Sequence, residues 1–488
     1  MRFALASATT ALEAAGLLSA VRGDLPEFVE GVSDDSRDVR PGFLFIAVRG
    51  SLRDGHDYLA RAAELGASVA MVEDPARTAL PAIIVKEGRK AAAVAAGAAY
   101  GDPSRKLRMI GITGTNGKST TADILRHLLD HDSTRSASIG TLGVLLGTDG
   151  EVVPGGAELT TPGPVELQRV LRVLVDRGVS TVAMEVSSHS LDQRRIDGLS
   201  FDAAVFTNLT RDHLDYHQTM EAYFAAKARL IGYLKPNGAA AVNVDDTRWQ
   251  ALPPAPKTIY FGVKEGADVR ASDVHFSPSG SSWRVHHGGD SFPVELPLIG
   301  DVNVHNALGA IAVGLTLGMP LQTLAECLSL LPQVPGRLEV ISQRPAVLRD
   351  YAHTPDAIGR ALTAIRPFTR GRLILVFGCG GDRDRGKRPE MGRAAEHGAD
   401  LVIVTSDNPR TEDPEQILDD IEAGMTAENH LRIEDRRAAI ERALGEAHTD
   451  DVILLAGKGH ETYQIRGTTK TPFDEKLVVK ELLAARQN

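Results

Sequence analysis

Gly111-Ile112-Thr113-Gly114-Thr115-Asn116-Gly117-Lys118-Ser119-Thr120 follows an apolar run that begins at Leu107. It precedes a segment with Ile124, Leu125, Leu128 and Leu129 on one helical face. A strand, a glycine-rich turn and a helix in that order predict a phosphate loop. Glycine permits the tight turn and lets backbone N–H groups approach phosphate oxygens, and the helix start adds partial positive charge. In this reading Gly114, Thr115, Asn116, Gly117 and Thr120 frame a bound nucleotide. Lys118 reaches its β- and γ-phosphates, and the Ser119 hydroxyl faces Mg²⁺. The strict pattern asks for glycine at the position of Ile112. A ligand-free turn is the bland alternative, but Gly-Lys-Ser in this setting rarely arises for turning alone. The loop announces nucleotide binding and names no reaction.

Outward from the loop, three blocks can be drawn. Residues 1–104 alternate short apolar runs (43–48 and 68–72) with alanine-rich patches, which predicts a small α/β unit. Residues 105–335 begin with the phosphate loop and carry further strand candidates at 181–186, 203–206 and 239–244. In residues 336–488, apolar runs at 347–350, 373–377, 401–405 and 452–456 predict a parallel sheet wound with helices. The stretch from Asp246 to Pro297 carries no usable motif. A chain of 488 residues is long enough for three domains.

A formal net charge of -10 argues against bulk nucleic-acid binding, so phosphate chemistry must be local. Two distant cysteines, Cys327 and Cys379, predict neither a disulfide framework nor a zinc site and suit a reducing cytoplasm. The segment from Met1 to Ala20 lacks a compact apolar core and is read as a domain helix rather than a signal peptide. No run approaches the ~18 apolar residues of a membrane span. A cytoplasmic monomer acting on small molecules is expected.

Several segments resemble the Mur ligase and folylpolyglutamate synthetase superfamily. They are Gly114 to Ser119, Met184-Glu185-Val186-Ser187-Ser188-His189 and the run from Thr207 to His217. His305-Asn306-Ala307, Pro335-Gly336-Arg337 and the run from Asp350 to Asp356 continue the series in the family's order. Asp35-Ser36-Arg37 and the run from Pro41 to Phe45 are similar to the UDP-binding domain of its diamino-acid-adding members. The resemblance implies a small N-terminal α/β UDP-binding domain, a central P-loop ATPase-type parallel-sheet domain and a C-terminal Rossmann-like domain. It implies an ATP-dependent peptidoglycan-precursor ligase, in which an acyl phosphate forms and an amine attacks it.

Lys118, Glu185, His213 and Lys227 are then the catalytic candidates. Ser119, Glu185 and His213 would serve Mg²⁺, together with Lys227 as a carbamate (N6-carboxylysine), a modification that needs a neutral amine. Taken alone, Lys227 between alanines reads as a solvated residue. The resemblance assigns Asn306, Arg337 and Asp350 to ATP, with Arg337 placed to reach it on domain closure. It assigns Ser36, Thr160, Thr161, Ser187, Gln193 and Arg195 to UDP-N-acetylmuramoyl-L-alanyl-D-glutamate. Chemistry alone does not separate Arg195 from Arg194.

Three polar loops follow predicted strands in the last block, where open α/β sheets bind ligands. Asp407-Asn408-Pro409-Arg410 resembles the family's meso-diaminopimelate signature, and Arg383, Gly457 and Glu461 match its remaining contacts. Arg410 can pair with a distal carboxylate, while Asp407 or Glu461 can hold an ammonium. L-Lysine ligation and folate polyglutamylation are the alternatives. Arg410 disfavours the first and the UDP-type N-terminal block disfavours the second. A nucleotide-gated binding protein without catalysis is disfavoured by the presence of Lys118, Glu185, His213 and Lys227.

Overall fold

The computed structural model describes residues 2–50, 53–131, 134–156, 159–277 and 279–487, so Met1 of the N-terminal reading lies outside it. The fold is α/β throughout. Near the N-terminus, five strands order as Leu18–Arg22, Ala82–Val85, Val69–Val72, Phe43–Ile46 and Gly31–Ser33, parallel except for the first. The segment read as a domain helix forms Leu5–Ala14 and then the strand Leu18–Arg22. The alanine-rich patch forms the helix Gly88–Ala99, whose Ala91, Ala92, Ala95 and Ala96 pack with Leu5, Leu12 and the sheet residues Leu44 and Val69.

The predicted strand before the phosphate loop is Arg108–Thr113, near the centre of an eleven-stranded sheet. Its side chains alternate between two cores, as a strand covered on both faces must. Met109 joins Leu167, Val170, Leu171 and Leu174 of the helix Pro164–Asp176. Ile110 and Ile112 join Ile124, Leu125 and Leu128 of the helix Lys118–Leu129, and behind it Ala307, Leu308 and Ile311 of the helix Asp301–Thr316. Ile112, where strict phosphate loops carry glycine, is thus a core residue of the strand.

The chain leaves this strand toward Arg135–Gly140 and returns along Val179–Glu185, then crosses to Phe201–Phe206 on the opposite side. That reversal of direction leaves a crevice at the strands' carboxyl ends. The stretch read as motif-free supplies four strands that widen the sheet: Lys257–Gly262, Val269–Ser277, Gly280–His287 and Asp290–Leu296. The last two are antiparallel.

The C-terminal part holds a six-stranded sheet ordered Glu339–Gln343, Ala346–Asp350, Val452–Ala456, Leu373–Phe377, Leu401–Val404 and His430–Arg432. All but the first strand are parallel. The four runs predicted from sequence form its inner strands, with separate cores on the two faces. Among the described residues, no helix is long and apolar enough to cross a membrane.

Candidate active site

The phosphate loop is held open by contacts from the next strand's carboxyl end. Thr115 N donates to Asn208 O at 2.7 Å, Asn116 N to Asn208 Oδ1 at 2.9 Å, and Thr207 Oγ1 to Asn116 O at 2.7 Å. Gly117 sits at φ 86, and a Cβ there would collide with Asn306 Oδ1, so glycine is required on both counts. Lys118 Nζ donates to Gly114 O at 2.9 Å and Thr115 O at 2.6 Å. Burial lowers its pKa, against the opposing pull of Glu185 and Asp212.

Glu185 ends its strand and is buried. Its Oε1 accepts from Thr141 N at 2.8 Å, and Thr161 Oγ1 donates to its backbone carbonyl at 2.8 Å. His213 sits at φ 55 just before a short helix, with its Nε2 3.4 Å from Asp212 Oδ2 and its ring edge-on to His189 at 4.8 Å. Burial favours the neutral imidazole, while Asp212, against its own burial, is held below the usual carboxylate range by the Lys387 charge and the His213 backbone N–H, which donates to its Oδ1 at 2.9 Å. Lys227, readable alone as a solvated residue, is 1% exposed on the helix Met220–Ala228. Its Nζ donates to Gly114 O at 2.7 Å and lies over the Tyr223 ring at 4.5 Å. Burial, then the nearby Lys118 charge, pushes its pKa well below the ordinary lysine value, which favours the neutral amine that carbamylation needs.

Thr161, Ser187, Gln193 and Arg195 form one hydrogen-bonded group, to which Thr160 connects through Thr141 and Glu185. Arg195 grips Gln193 Oε1 through Nε at 3.0 Å and Nη2 at 2.6 Å, and donates to Thr161 O at 3.1 Å. Ser187 N donates to Thr161 Oγ1 at 3.0 Å, and Thr141 Oγ1 joins Thr160 at 3.3 Å. Arg194 instead faces Asp197 at 3.6 Å and does not line the cleft, so the backbone separates the two arginines. Ser36 lies half-buried on a short turn of helix and is not brought to the cleft.

Arg337 already reaches the phosphate-loop helix, donating from Nη2 to Ser119 Oγ at 2.8 Å, with its guanidinium over the Tyr351 ring at 4.7 Å. The turn through Gly336 and Leu338, both with positive φ and the latter held by Asp350 Oδ2 at 2.7 Å, aims it inward. Asn306 is buried against Asn303 at 3.1 Å.

The three loops predicted for amine capture follow the adjacent parallel strands Val452–Ala456, Leu373–Phe377 and Leu401–Val404. Asn408 Nδ2 donates to Glu461 Oε2 at 2.7 Å, and Arg410 Nη1 to Gly381 O at 2.7 Å. Gly457, at φ 110, leaves room for Asp407, whose Oδ2 would lie 2.5 Å from a Cβ. Arg383 has its pKa lowered by burial and then by the Arg410 charge, so two guanidiniums converge, an arrangement suited to an anionic ligand group. Pro409 itself stays out of the cleft wall.

A single cavity of about 1110 Å³ connects these groups. Its walls include Thr115 to Thr120, Glu185, His213, Lys227, Asn306, Arg337 and Asp350, together with Arg383, Asp407, Asn408, Arg410, Gly457 and Glu461. Thr160, Ser187 and Arg195 line its other side. The phosphate loop and the loops predicted for amine capture therefore open into one space.

The Mur ligase middle domain matches residues 112–314, the Mur ligase glutamate ligase domain residues 336–459, and the Mur ligase family catalytic domain residues 28–105. The chain is 46% identical over 94% of its length to a UDP-N-acetylmuramoyl-L-alanyl-D-glutamate--2,6-diaminopimelate ligase of Synechococcus elongatus, covering 95% of that protein. The chain belongs to the Mur ligase family. A Geobacillus thermodenitrificans ligase of the same name is 43% identical over 96% of this Mur ligase and 97% of its own length. A solved structure of that name matches the whole of both chains with a TM-score of 0.67 at 33% identity. In fold alone, a Mycobacterium tuberculosis folylpolyglutamate synthase covers 75% of this Mur ligase and 92% of its own chain, with a TM-score of 0.62 at 19% identity.

Sequence reasoning missed three residues of this Mur ligase's site. Thr141 braces Glu185, Asp212 faces His213, and Lys458 lies buried beside Asn408 and Glu461. Asp212 stood inside the quoted run from Thr207 to His217 and Lys458 between the named Gly457 and Glu461, while Thr141, after the mixed strand Arg135–Gly140, gave no signal.

Proposed function

We propose that this Mur ligase joins meso-2,6-diaminopimelate to the D-glutamate of UDP-N-acetylmuramoyl-L-alanyl-D-glutamate, with ATP cleaved to ADP and phosphate, in cytoplasmic peptidoglycan precursor synthesis. The observation that carries the reading is the common cavity joining the phosphate loop to Asn408, Arg410, Arg383 and Glu461. Residues 1–104 serve the UDP moiety through Ser36, 105–335 the ATP chemistry, and 336–488 the incoming amino acid. The substrate carboxylate takes the γ-phosphoryl group, and the resulting acyl phosphate is attacked by the amine. Phosphate leaves as the amide forms, and the amine gives up a proton.

The chain's own groups match those needs. Backbone N–H groups of the loop and Lys118 cradle the phosphates, and Arg337 brings a second cation to Ser119. Thr160, Thr161, Ser187, Gln193 and Arg195 orient the muramoyl peptide. Arg410 and Arg383 take the distal carboxylate of diaminopimelate, and Glu461 with Asp407 takes an ammonium. Asn306 and Asp350 flank the nucleoside.

The donor set beside the loop, the Ser119 hydroxyl and the Glu185 carboxylate with His213 near, fits Mg²⁺, which prefers oxygen and keeps much of its coordination for water and substrate phosphate. When bound, Mg²⁺ offsets phosphate charge. Lys227, buried with a depressed pKa, is suited to carbamylation and would then add a carboxylate beside Gly114.

An ADP-release assay tests the amine assignment. With UDP-muramoyl dipeptide and ATP, wild type should favour diaminopimelate over L-lysine by about 10⁴ in kcat/KM, because lysine leaves Arg410 unpaired. Arg410→Ala should lose most of that ratio through diaminopimelate alone. Equal wild-type turnover of the two amines contradicts the assignment.

A further inference from the structure

Behind the amine loops lies a lysine that does not line the cleft. Lys458 is 0% exposed, although its neighbours Gly457, His460 and Glu461 all form the cleft wall. Its Nζ lies 3.1 Å from Asn408 Oδ1 and 3.4 Å from Glu461 Oε2. Asn408 Oδ1 also accepts from Ile465 N at 3.0 Å. Two donors on that oxygen fix the amide orientation, so Nδ2 must face Glu461, where it donates to Oε2 at 2.7 Å.

Both donors that reach Glu461, Asn408 Nδ2 and Lys458 Nζ, therefore use Oε2. Among the described residues, no protein donor occupies Oε1, which remains available as an acceptor. Glu461 is in a poor setting for an anion, since burial and the Asp407 carboxylate both raise its pKa, while Lys458 and Asn408 oppose them. Two cations of this wall, Arg383 and Arg410, are placed for an anionic group instead.

We propose that Lys458 is a positioning residue for amine recognition: through Asn408 and Glu461 Oε2 it holds Glu461 ionised and turned, so that Oε1 meets the ammonium of the incoming diamino acid. This rests on the reading of the C-terminal loops as the amine site. Lys458 is a counter-ion built into the wall. The substrate ammonium joins a pair whose charge is already balanced, and Asp407 supplies the negative charge that it in turn offsets.

The test is steady-state kinetics of Lys458→Met, which keeps an unbranched stem and removes the charge. KM for diaminopimelate should rise about 10-fold or more, while KM for ATP and for the muramoyl peptide and kcat stay within about 3-fold. The acid limb of kcat/KM for diaminopimelate should move to higher pH, because Glu461 without its cation protonates more readily. In a Glu461→Gln background, Lys458→Met should add no further KM increase. Unchanged KM for diaminopimelate, a parallel rise in all three KM values, or full additivity with Glu461→Gln overturns the proposal. Lys458→Gln carries the same measurements if the Met variant melts early. Failure of both variants to fold also overturns it, since a residue confined to positioning is dispensable for folding. Were wild type to prefer L-lysine, the substrate reading would fail by itself, and Lys458 would be judged on the KM for lysine.

Discussion

Arg194 and Arg195 are neighbours that chemistry alone leaves equivalent, and one backbone feature divides them. Arg194 takes φ 61 and turns toward Asp197, while Arg195 turns inward to Gln193 and Thr161. Arg195→Met should raise KM for the muramoyl peptide about 10- to 100-fold, whereas Arg194→Met should leave it within about 3-fold. Equal effects in steady-state kinetics would contradict the assignment. His460 offers a second prediction at this scale. Burial, then the Arg337 and Arg349 charges, lowers its pKa from 6.5 to about 4. Between those values the unfolded chain binds more protons at this residue than the folded one, so stability falls as pH drops through that window. His460→Asn should therefore show a shallower fall of Tm between pH 6.5 and 4 than wild type. An identical slope counts against the shift.

Single elements gain their function where they end. The strands Leu401–Val404 and Val452–Ala456 deliver two of the three loops proposed for amine capture, and one buried arginine ties those ends together. Arg436 Nη1 donates to Ser406 O at 3.2 Å and Nη2 to Ala456 O at 2.8 Å, while Nε meets Glu475 Oε1 at 2.8 Å, both side chains being 0% exposed. Arg436→Met should cost about 3–5 kcal/mol, because it strands a buried carboxylate. Adding Glu475→Leu should recover much of the loss in urea unfolding. No recovery would show that the carbonyl contacts, rather than the unpaired charge, dominate.

Legibility also divides by element. Strands such as Leu373–Phe377 are buried on both faces, so they read as unbroken apolar runs. Val269–Ser277 and Asp290–Leu296 mix exposed and buried positions near the sheet margin, and no motif marked them. In the site, residues inside glycine-rich or charged motifs were legible. Thr141 was not, because it acts through Glu185, distant in sequence, and the contact that singles out Lys458 within its glycine-rich loop, to Asn408, is equally distant.

At the scale of the whole molecule, contacts join the phosphate-loop sheet to the C-terminal sheet across the cavity. Arg337 meets Ser119, Asn116 Nδ2 donates to Asp356 Oδ2 at 3.3 Å, and Arg211 pairs with Glu390 at 2.7 Å. Of these, Arg337 and Asn116 face the cavity itself, and the exposed Arg211 pair is the kind that contributes little to stability. The arrangement brings the phosphate loop and the loops proposed for the amine into one cavity, as a single-site ligation requires. That convergence is the centre of the account, and a one-pot competition tests it most directly. Wild-type protein would be given ATP, UDP-muramoyl dipeptide and equal diaminopimelate and L-lysine, with product masses and ADP followed together. The account predicts the diaminopimelate adduct as the dominant product, with one ADP released per amide formed. A dominant lysine adduct, or ADP released without amide, would contradict it.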